Sequence, residues 1–367
     1  MTPPRAPRRG TLASLAAELG VSRTTVSNAY NRPDQLSDAL RERILAAAAA
    51  RGYPGPDPTA RSLRTRRVGA IGVLMTEHLA YAFEDLASVD FLAGLAESSY
   101  GTDNMLTLVP VGPEGPGRAS PLISRAVVDG FIVYSVAADE PNLTAVRSSG
   151  LPTVICDQPY DVADLPYVGI DDEAAIRPAA RALLDAGHRR IGVLGKRLTR
   201  VRHDGPVRDL DGATLHVQRG RIRGALAELA AGGLDPAAVP VVVRHHNDHA
   251  TAVDGARELL ESNPDLTAVL CTTDSMAFGV LDYARSRGWS VPGDLSVTGF
   301  DGVDLALTRG LTTVVQPNKA KGAEAGALLG TLVDARVADQ PAPRPPQRTL
   351  LPTTFHPGTT VSAPRGR

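Results

Sequence analysis

Apolar residues between Thr11 and Tyr53 recur at helical spacing. Leu12, Leu15, Ala16 and Leu19 form a first stripe, and Gly20 ends it where the chain needs a left-handed or tight turn. Ser22 is a good N-cap for a second helix over residues 22–30, whose inner face is Val26 with Ala29. Ser37 or Asp38 caps a third helix, with Leu40, Ile44, Leu45 and Ala48 as its core stripe. The small Ala16, the turn at Gly20 and the inward Val26 lie where two helices must cross closely. That is the helix-turn-helix constellation.

Beyond Arg67 the period changes. Short β-branched runs predict strands over 68–74, 105–109, 130–135, 153–156, 191–194, 239–243, 268–271, 295–299 and 312–315. Helices are expected between them over 90–100, 172–187, 219–231, 250–262, 274–287 and 319–335. Such alternation gives parallel, doubly wound sheets with helices on both faces. About nine strands are many for one sheet but natural for two lobes with a cleft between them. In these sheets ligands lie beyond the carboxyl ends of the strands, so the loops there are the candidate site. A last strand-like segment, 347–355, precedes a tail without leucine heptads, which points to a dimer rather than a helical tetramer.

Composition sets limits on these readings. The chain has 367 residues, 43% hydrophobic and 22% charged, which is ordinary globular usage for two or three domains. No apolar run approaches the ~20 residues of a bilayer crossing, so no membrane partner is expected. The basic start MTPPRAPRRG leads into no apolar signal core, and Cys156 and Cys271 are the only cysteines; a reduced cytosol is the expected setting. The net charge of −1 conceals a division. Residues 1–67 hold twelve Arg, no Lys and five acids, a charge of +7, which leaves −8 for the rest. A basic head on an acidic body suggests a DNA-facing module joined to something else.

The second predicted helix carries the DNA signal. Arg23, Thr24, Thr25, Ser27 and Asn28 crowd its outward positions. Arg can contact guanine bidentately and Asn adenine, each worth ~1–3 kcal/mol of discrimination. In PGPDPTARSLRTRR, residues 54–67, prolines prevent helix through Asp57, while Asp57 can cap a helix that starts at Pro58. A helix of one and a half turns over 59–64 needs a partner, either DNA or its own copy. Leu63 either packs on the neighbouring domain or wedges into a minor-groove step.

TLASLAAELGVSRTTVSNAYN, the following GY, and ARSL after the proline segment resemble the LacI/GalR family of bacterial transcription regulators. The resemblance implies that Ser22, Arg23, Thr24, Ser27 and Asn28 face operator DNA, with Thr25 and Asn31 on the same surface. It also implies a hinge helix containing Thr59, Ala60, Arg61 and Leu63, with Leu63 intercalating. Asn28 stands where Arg is common, and the hinge has one residue more than the usual pattern.

The resemblance continues through VDGFIVYS, AGHRRIGVLG, TTDSMAFGVLDYARSRGWSVPGDLSVTGFDGVDLA and LTTVVQP, roughly residues 10–356. The implied fold is that of periplasmic sugar-binding proteins, two cross-connected lobes with the effector between them. Asp301 in GFDG and Asp157 match effector-contacting aspartates. Thr273 and Asp274 take the family's Asn-Asp pair, with Thr for Asn. Arg221 fits the arginine that binds effector hydroxyls or carboxylates, and Gln316 lies at a crossover near the cleft. Asp274 is equally well placed as a helix N-cap.

His245, His246 and His249 have no matching Cys or carboxylate pattern, so neither a metal nor another cofactor is expected. The Arg-rich stretch 196–216 is long for a strand-to-helix connection; it is expected to edge the cleft and, through Arg200 and Arg202, to favour an anionic effector. No nucleophile elbow, phosphate loop or H-E-x-x-H occurs, which argues against an enzyme. A solute-binding protein would not need the basic head, and an effector-independent DNA-binding protein would leave the acidic cleft residues unexplained.

The reading is therefore a homodimeric, effector-controlled transcriptional regulator, in the first instance a repressor, on a pseudo-palindromic double-stranded operator. The effector that the resemblance implies is a sugar or related metabolite. An all-α helix-turn-helix head over 9–53 and a hinge over 54–67 precede a periplasmic-binding-protein-like α/β core over 68–356. That core consists of two doubly wound parallel-sheet lobes. The N-lobe is placed near 68–166 plus 318–345, the C-lobe near 167–317 plus 346–356, and a flexible tail over 357–367.

Overall fold

Three short helices open the chain, each ended by a signal in its own sequence. The computed structural model describes residues 10–57, 62, 65–75, 79–99, 104–110 and 121–365. The chain divides into two units, 1–68 and 69–367. In the first, α1 (Leu12–Leu19) begins with a capping box between Thr11 and Ser14 and ends at Gly20, whose φ of 65° only glycine adopts cheaply. Ser22 caps α2 (Arg23–Asn31) and Ser37, rather than Asp38, caps α3 (Asp38–Ala50). Leu15, Ala16, Val26, Ala29, Ile44 and Ala48 form the core, rimmed by Leu36, Leu40, Ala47 and Tyr53. Leu45 is only half-buried. The Arg43 guanidinium donates to the Leu19 carbonyl at 2.8 Å, meeting an orphan acceptor at the end of α1. Thr59, Ala60, Arg61 and Leu63 lie outside the described residues.

The second unit contains thirteen described strands: β1 (Ala70–Met75), β2 (Met105–Pro110), β3 (Gly130–Tyr134), β4 (Thr153–Cys156), β5 (Tyr167–Gly169), β6 (Ile191–Lys196), β7 (Gly205–Pro206), β8 (Val241–Arg244), β9 (Ala268–Cys271), β10 (Ser296–Asp301), β11 (Thr312–Val315), β12 (Arg348–Leu350) and β13 (Thr354–His356). They form two sheets, ordered β12-β5-β4-β3-β1-β2 and β13-β11-β10-β9-β6-β8-β7. All pairs are parallel except β11–β13 and β7–β8. Strands buried on both faces explain the unbroken apolar runs of β1, β3 and β9.

The chain crosses between the sheets three times: after β5, after β11 and after β12. This moves the lobe limits. Tyr167–Gly169 and Arg348–Leu350 belong to the first sheet, whereas the sequence placed 167 and 346–350 in the C-lobe. The expected single strand over 347–355 is two strands in two sheets, Arg348–Leu350 and Thr354–His356, separated by residues 351–353. The expected helix over 172–187 is two, Asp172–Ala175 and Arg177–Asp185, with Pro178 in the first turn of the second.

The tail is not free. Thr360 accepts from the Thr312 amide at 2.9 Å, its carbonyl accepts from Val297, and the Ser362 carbonyl lies 2.9 Å from His188 Nε2. Residues 357–365 therefore finish the second lobe instead of forming a flexible end.

In the first lobe the helices Leu86–Ser99 and Asn318–Val337 cross tightly. A Cβ at Gly322 would overlap the Phe91 carbonyl, so glycine there permits the contact. Phe91 in turn stacks on Tyr134 with ring centroids 3.9 Å apart. That packing turns one edge of the Asn318–Val337 helix inward, toward the ends of β3 and β4.

Candidate effector cleft and DNA-facing helix

The carboxyl ends of β1, β3, β4, β6, β10 and β11 converge on a cavity of about 80 Å³ between the two lobes. Asp157, Arg221, Thr273, Asp301 and Gln316 line it, together with Tyr134, Gln158, Gln218 and Asn247. Three of the lining residues are non-glycines with left-handed backbone: Ser135 (φ 53°), Asp157 (φ 66°) and Asp301 (φ 125°). Such conformations cost of order 1–3 kcal/mol each and persist where surrounding bonds over-determine them. At Asp157 those bonds are its amide on the Val168 carbonyl at 2.9 Å and the Tyr167 hydroxyl on its own carbonyl at 2.9 Å.

A continuous chain of buried polar contacts runs under the cavity. Arg221 donates Nε to Asp172 at 2.9 Å, and Nη1 to the Thr272 carbonyl at 2.8 Å and to Asp301 at 3.2 Å. Its guanidinium lies 3.8 Å from the Phe300 ring centroid. Gln316 donates Nε2 to Asp301 at 2.6 Å, and its Oε1 accepts from Lys321 Nζ at 2.8 Å. Lys321 Nζ also reaches both Asp157 oxygens, at 2.8 and 2.9 Å. Burial pushes the Asp301 carboxyl up to about 7, against the pull of Arg221, and the Asp172 carboxyl to about 6 for the same reason.

Asp274 departs from expectation twice. Thr273, not Asp274, caps the helix Asp274–Ser286, by accepting from the Met276 amide. The Asp274 carboxylate is taken by the Thr313 hydroxyl at 2.6 Å and the Val303 amide at 3.0 Å. It lies in an adjoining recess with Asp85 and Asp248 rather than on the central cavity.

The Arg-rich stretch does edge the cavity, through Lys196, Arg197 and Leu215, but not through Arg200 and Arg202. Arg200 pairs across the lobes with buried Glu140 at 3.2 Å, and Arg202 pairs with Asp204 at 3.2 Å. Neither lines the cavity, so they offer no anion site there; Lys196 and Arg197 line it instead. His249 faces Asp282 at 3.6 Å, and the His245 and His246 rings meet edge to face. No cluster of three metal-ligating groups occurs among the described residues.

Sequence reasoning missed Lys321, Asp172, Gln158 and Gln218. Asp172 was within reach, because it follows a crossover strand as Gln316 does. Gln158 and Gln218 carry no sequence signal, yet Gln158 Oε1 accepts the Val217 amide at 2.7 Å from the other lobe.

On the head, Arg23 and Thr24 are exposed, with no partner among the described residues. Ser22 and Thr25 are engaged with each other, hydroxyl to hydroxyl at 2.8 Å, as part of the cap. Asn28 donates to Gln35 at 3.1 Å, and Asn31 donates to Ser27. The outward face of α2 is thus part held and part free.

Comparison with known proteins assigns this architecture. A model of the periplasmic binding protein-like domain family matches residues 180–361. The HTH-type transcriptional regulator IpsA of Corynebacterium glutamicum is 53% identical over 358 residues, 96% of this chain and 98% of that one. A LacI family transcriptional regulator from Corynebacterium glutamicum, solved as a crystal structure, is 48% identical with a TM-score of 0.73 over 96% of this chain and 99% of that one. The chain belongs to the LacI family of transcriptional regulators. A further family structure, the regulator CelR in complex with cellobiose, is 26% identical with a TM-score of 0.66 over 96% of this chain and 100% of that one. LacI-family membership accounts for both units: a helix-turn-helix head and a two-lobed periplasmic-binding-protein-like core. No helix among the described residues is long and apolar enough to cross a membrane.

Proposed function

We propose that this LacI-family protein is a cytoplasmic, sequence-specific repressor whose operator affinity is set by a neutral polyhydroxylated effector held between the lobes. The observation that carries the effector class is the balance of charge in the cavity wall. Asp85, Asp157 and Asp301 line it, and so do Lys196, Arg197 and Arg221. A wall of three acids and three bases offers donors and acceptors together and favours neither ionic ligand, which suits hydroxyl groups. CelR, with its bound cellobiose, supports the same class. The site is a binding site, with Asp157, Arg221, Thr273, Asp301 and Gln316 as its contacts.

In this reading Arg23 and Thr24 read base edges in the major groove, Ser22, Thr25, Ser27, Asn28 and Asn31 support that face, and Thr59–Leu63 meets the minor groove. A homodimer supplies two heads for a pseudo-palindromic operator. Its support is β2, which ends the first sheet, with Met105 64% exposed among the described residues.

A thermal-shift screen of neutral sugars and polyols, sugar phosphates, nucleosides and amino acids tests the effector class. A neutral polyol at 100 times its Kd should stabilise the folded chain by about 2.7 kcal/mol. A largest shift from a sugar phosphate or an amino acid would overturn it.

A further inference from the structure

Lys321 is the least expected group in the molecule. It is a lysine at 0% exposure, among the largest fully buried side chains. Its ammonium has three donors, and three acceptors meet them: both Asp157 oxygens and Gln316 Oε1, all at 2.8–2.9 Å. Lys321 does not itself line the cavity, whereas Asp157 and Gln316 do. It therefore stands behind the wall, where a cation has no solvent to fall back on.

This placement has two consequences. With Oε1 held by the ammonium, the Gln316 amide is fixed in one of its two orientations and Nε2 must point to Asp301. Asp157 and Gln316 Oε1 also form a ready-made cradle for an ammonium group, and Lys321 fills it from inside. A ligand amine arriving from the cavity finds the cradle occupied.

We propose that Lys321 is a positioning residue of the effector site, an internal cation that makes the wall refuse amines and accept neutral hydroxyl-bearing ligands. The inference rests on the polyol reading of the cleft and goes further, naming what excludes the charged relatives of a polyol.

The test uses the full chain with Lys321→Ala, which empties the cradle, and Lys321→Met, which fills its volume without charge. n-Propylammonium reproduces the three carbons and the ammonium that Lys321→Ala removes, and n-propanol is its uncharged counterpart. In Lys321→Ala, n-propylammonium should raise the melting temperature, with an affinity about tenfold or more above that for n-propanol, while wild type shows no such preference. Adding Asp157→Asn to Lys321→Ala should abolish the preference. A lysine that only fills space would give equal rescue by amine and alcohol. If Lys321→Ala does not fold alone, recovery of folded protein by n-propylammonium and not n-propanol is the same result, and Lys321→Met should recover with neither.

A second arm compares D-glucose, D-glucosamine and D-glucuronate, with further neutral sugars and polyols beside them, on wild type. Binding of D-glucosamine as strong as the neutral ligands overturns the role of Lys321. Preference for D-glucuronate, or no response to any neutral member, overturns the polyol reading and leaves the n-propylammonium result to judge Lys321 by itself.

Discussion

Asp301 concentrates the chemistry of the cleft in one side chain, with strained backbone, an arginine, a glutamine and deep burial. Its raised carboxyl, about 7 against 3.8 unperturbed, has a definite sign for stability. Between those values the folded chain binds the proton and the unfolded chain does not, so this contribution is full below about pH 4 and is lost as pH rises through 7. Asp172 and Asp274, each raised to about 6 by burial, act in the same direction. Asp301→Asn should therefore show a shallower decline of melting temperature than wild type between about pH 4 and pH 7. An unchanged decline would mean the carboxyl is ionised throughout.

On the head, Arg23→Ala should cost about 1–3 kcal/mol of discrimination at one or two base positions and leave the melting temperature unchanged. An unaltered site preference in a binding selection would remove Arg23 from base readout. Arg23 was legible because an exposed Arg beside an N-cap is a local pattern. Lys321 was not, because in NKAKG a lysine reads as a solvated helix residue. Only the close approach allowed at Gly322 turns it inward.

Elements show where local sequence suffices. β4, β9 and β11 match their apolar runs residue for residue, and Gly20 and Ser22 mark the turn between α1 and α2. Ser22→Ala should lower head stability by about 1 kcal/mol in chemical denaturation; no loss would mean the cap is replaced by water or by Thr25. What failed was short or depended on distant chain. β5 is three residues long and exists because β4 and β12 flank it; β7 has two residues and is an edge paired only to β8.

The tail is the clearest case. Its polar composition suggests a loose end, yet Thr360 and Ser362 satisfy amides and ring nitrogens of the second lobe. Removal of 357–367 should destabilise that lobe by about 2–4 kcal/mol, at about 1 kcal/mol for each lost bond, in urea unfolding. Unchanged stability would show those bonds are made equally well to water.

Across the whole molecule, the −1 net charge is a +7 segment, matched to phosphate, and a −8 remainder. The strand-and-helix alternation disclosed the two lobes, and the resemblance supplied five residues that the structure brings to one cavity. It did not disclose the chain of contacts from Asp172 through Arg221, Asp301, Gln316 and Lys321 to Asp157, because that chain joins three distant regions, 157–172, 221 and 301–321. Effector control requires that the ligand bind two lobe arrangements with different affinity, and this chain, which spans a crossover, is the part such a change must disturb.

The most direct measurement is operator binding by the full-length protein, on a site obtained by binding selection, with and without the neutral polyol that stabilises it most. Wild type should change its operator affinity by about fivefold or more, whereas Asp301→Ala should keep its basal affinity and lose the response. Operator affinity that ignores the bound polyol, or a full response in Asp301→Ala, would contradict the account.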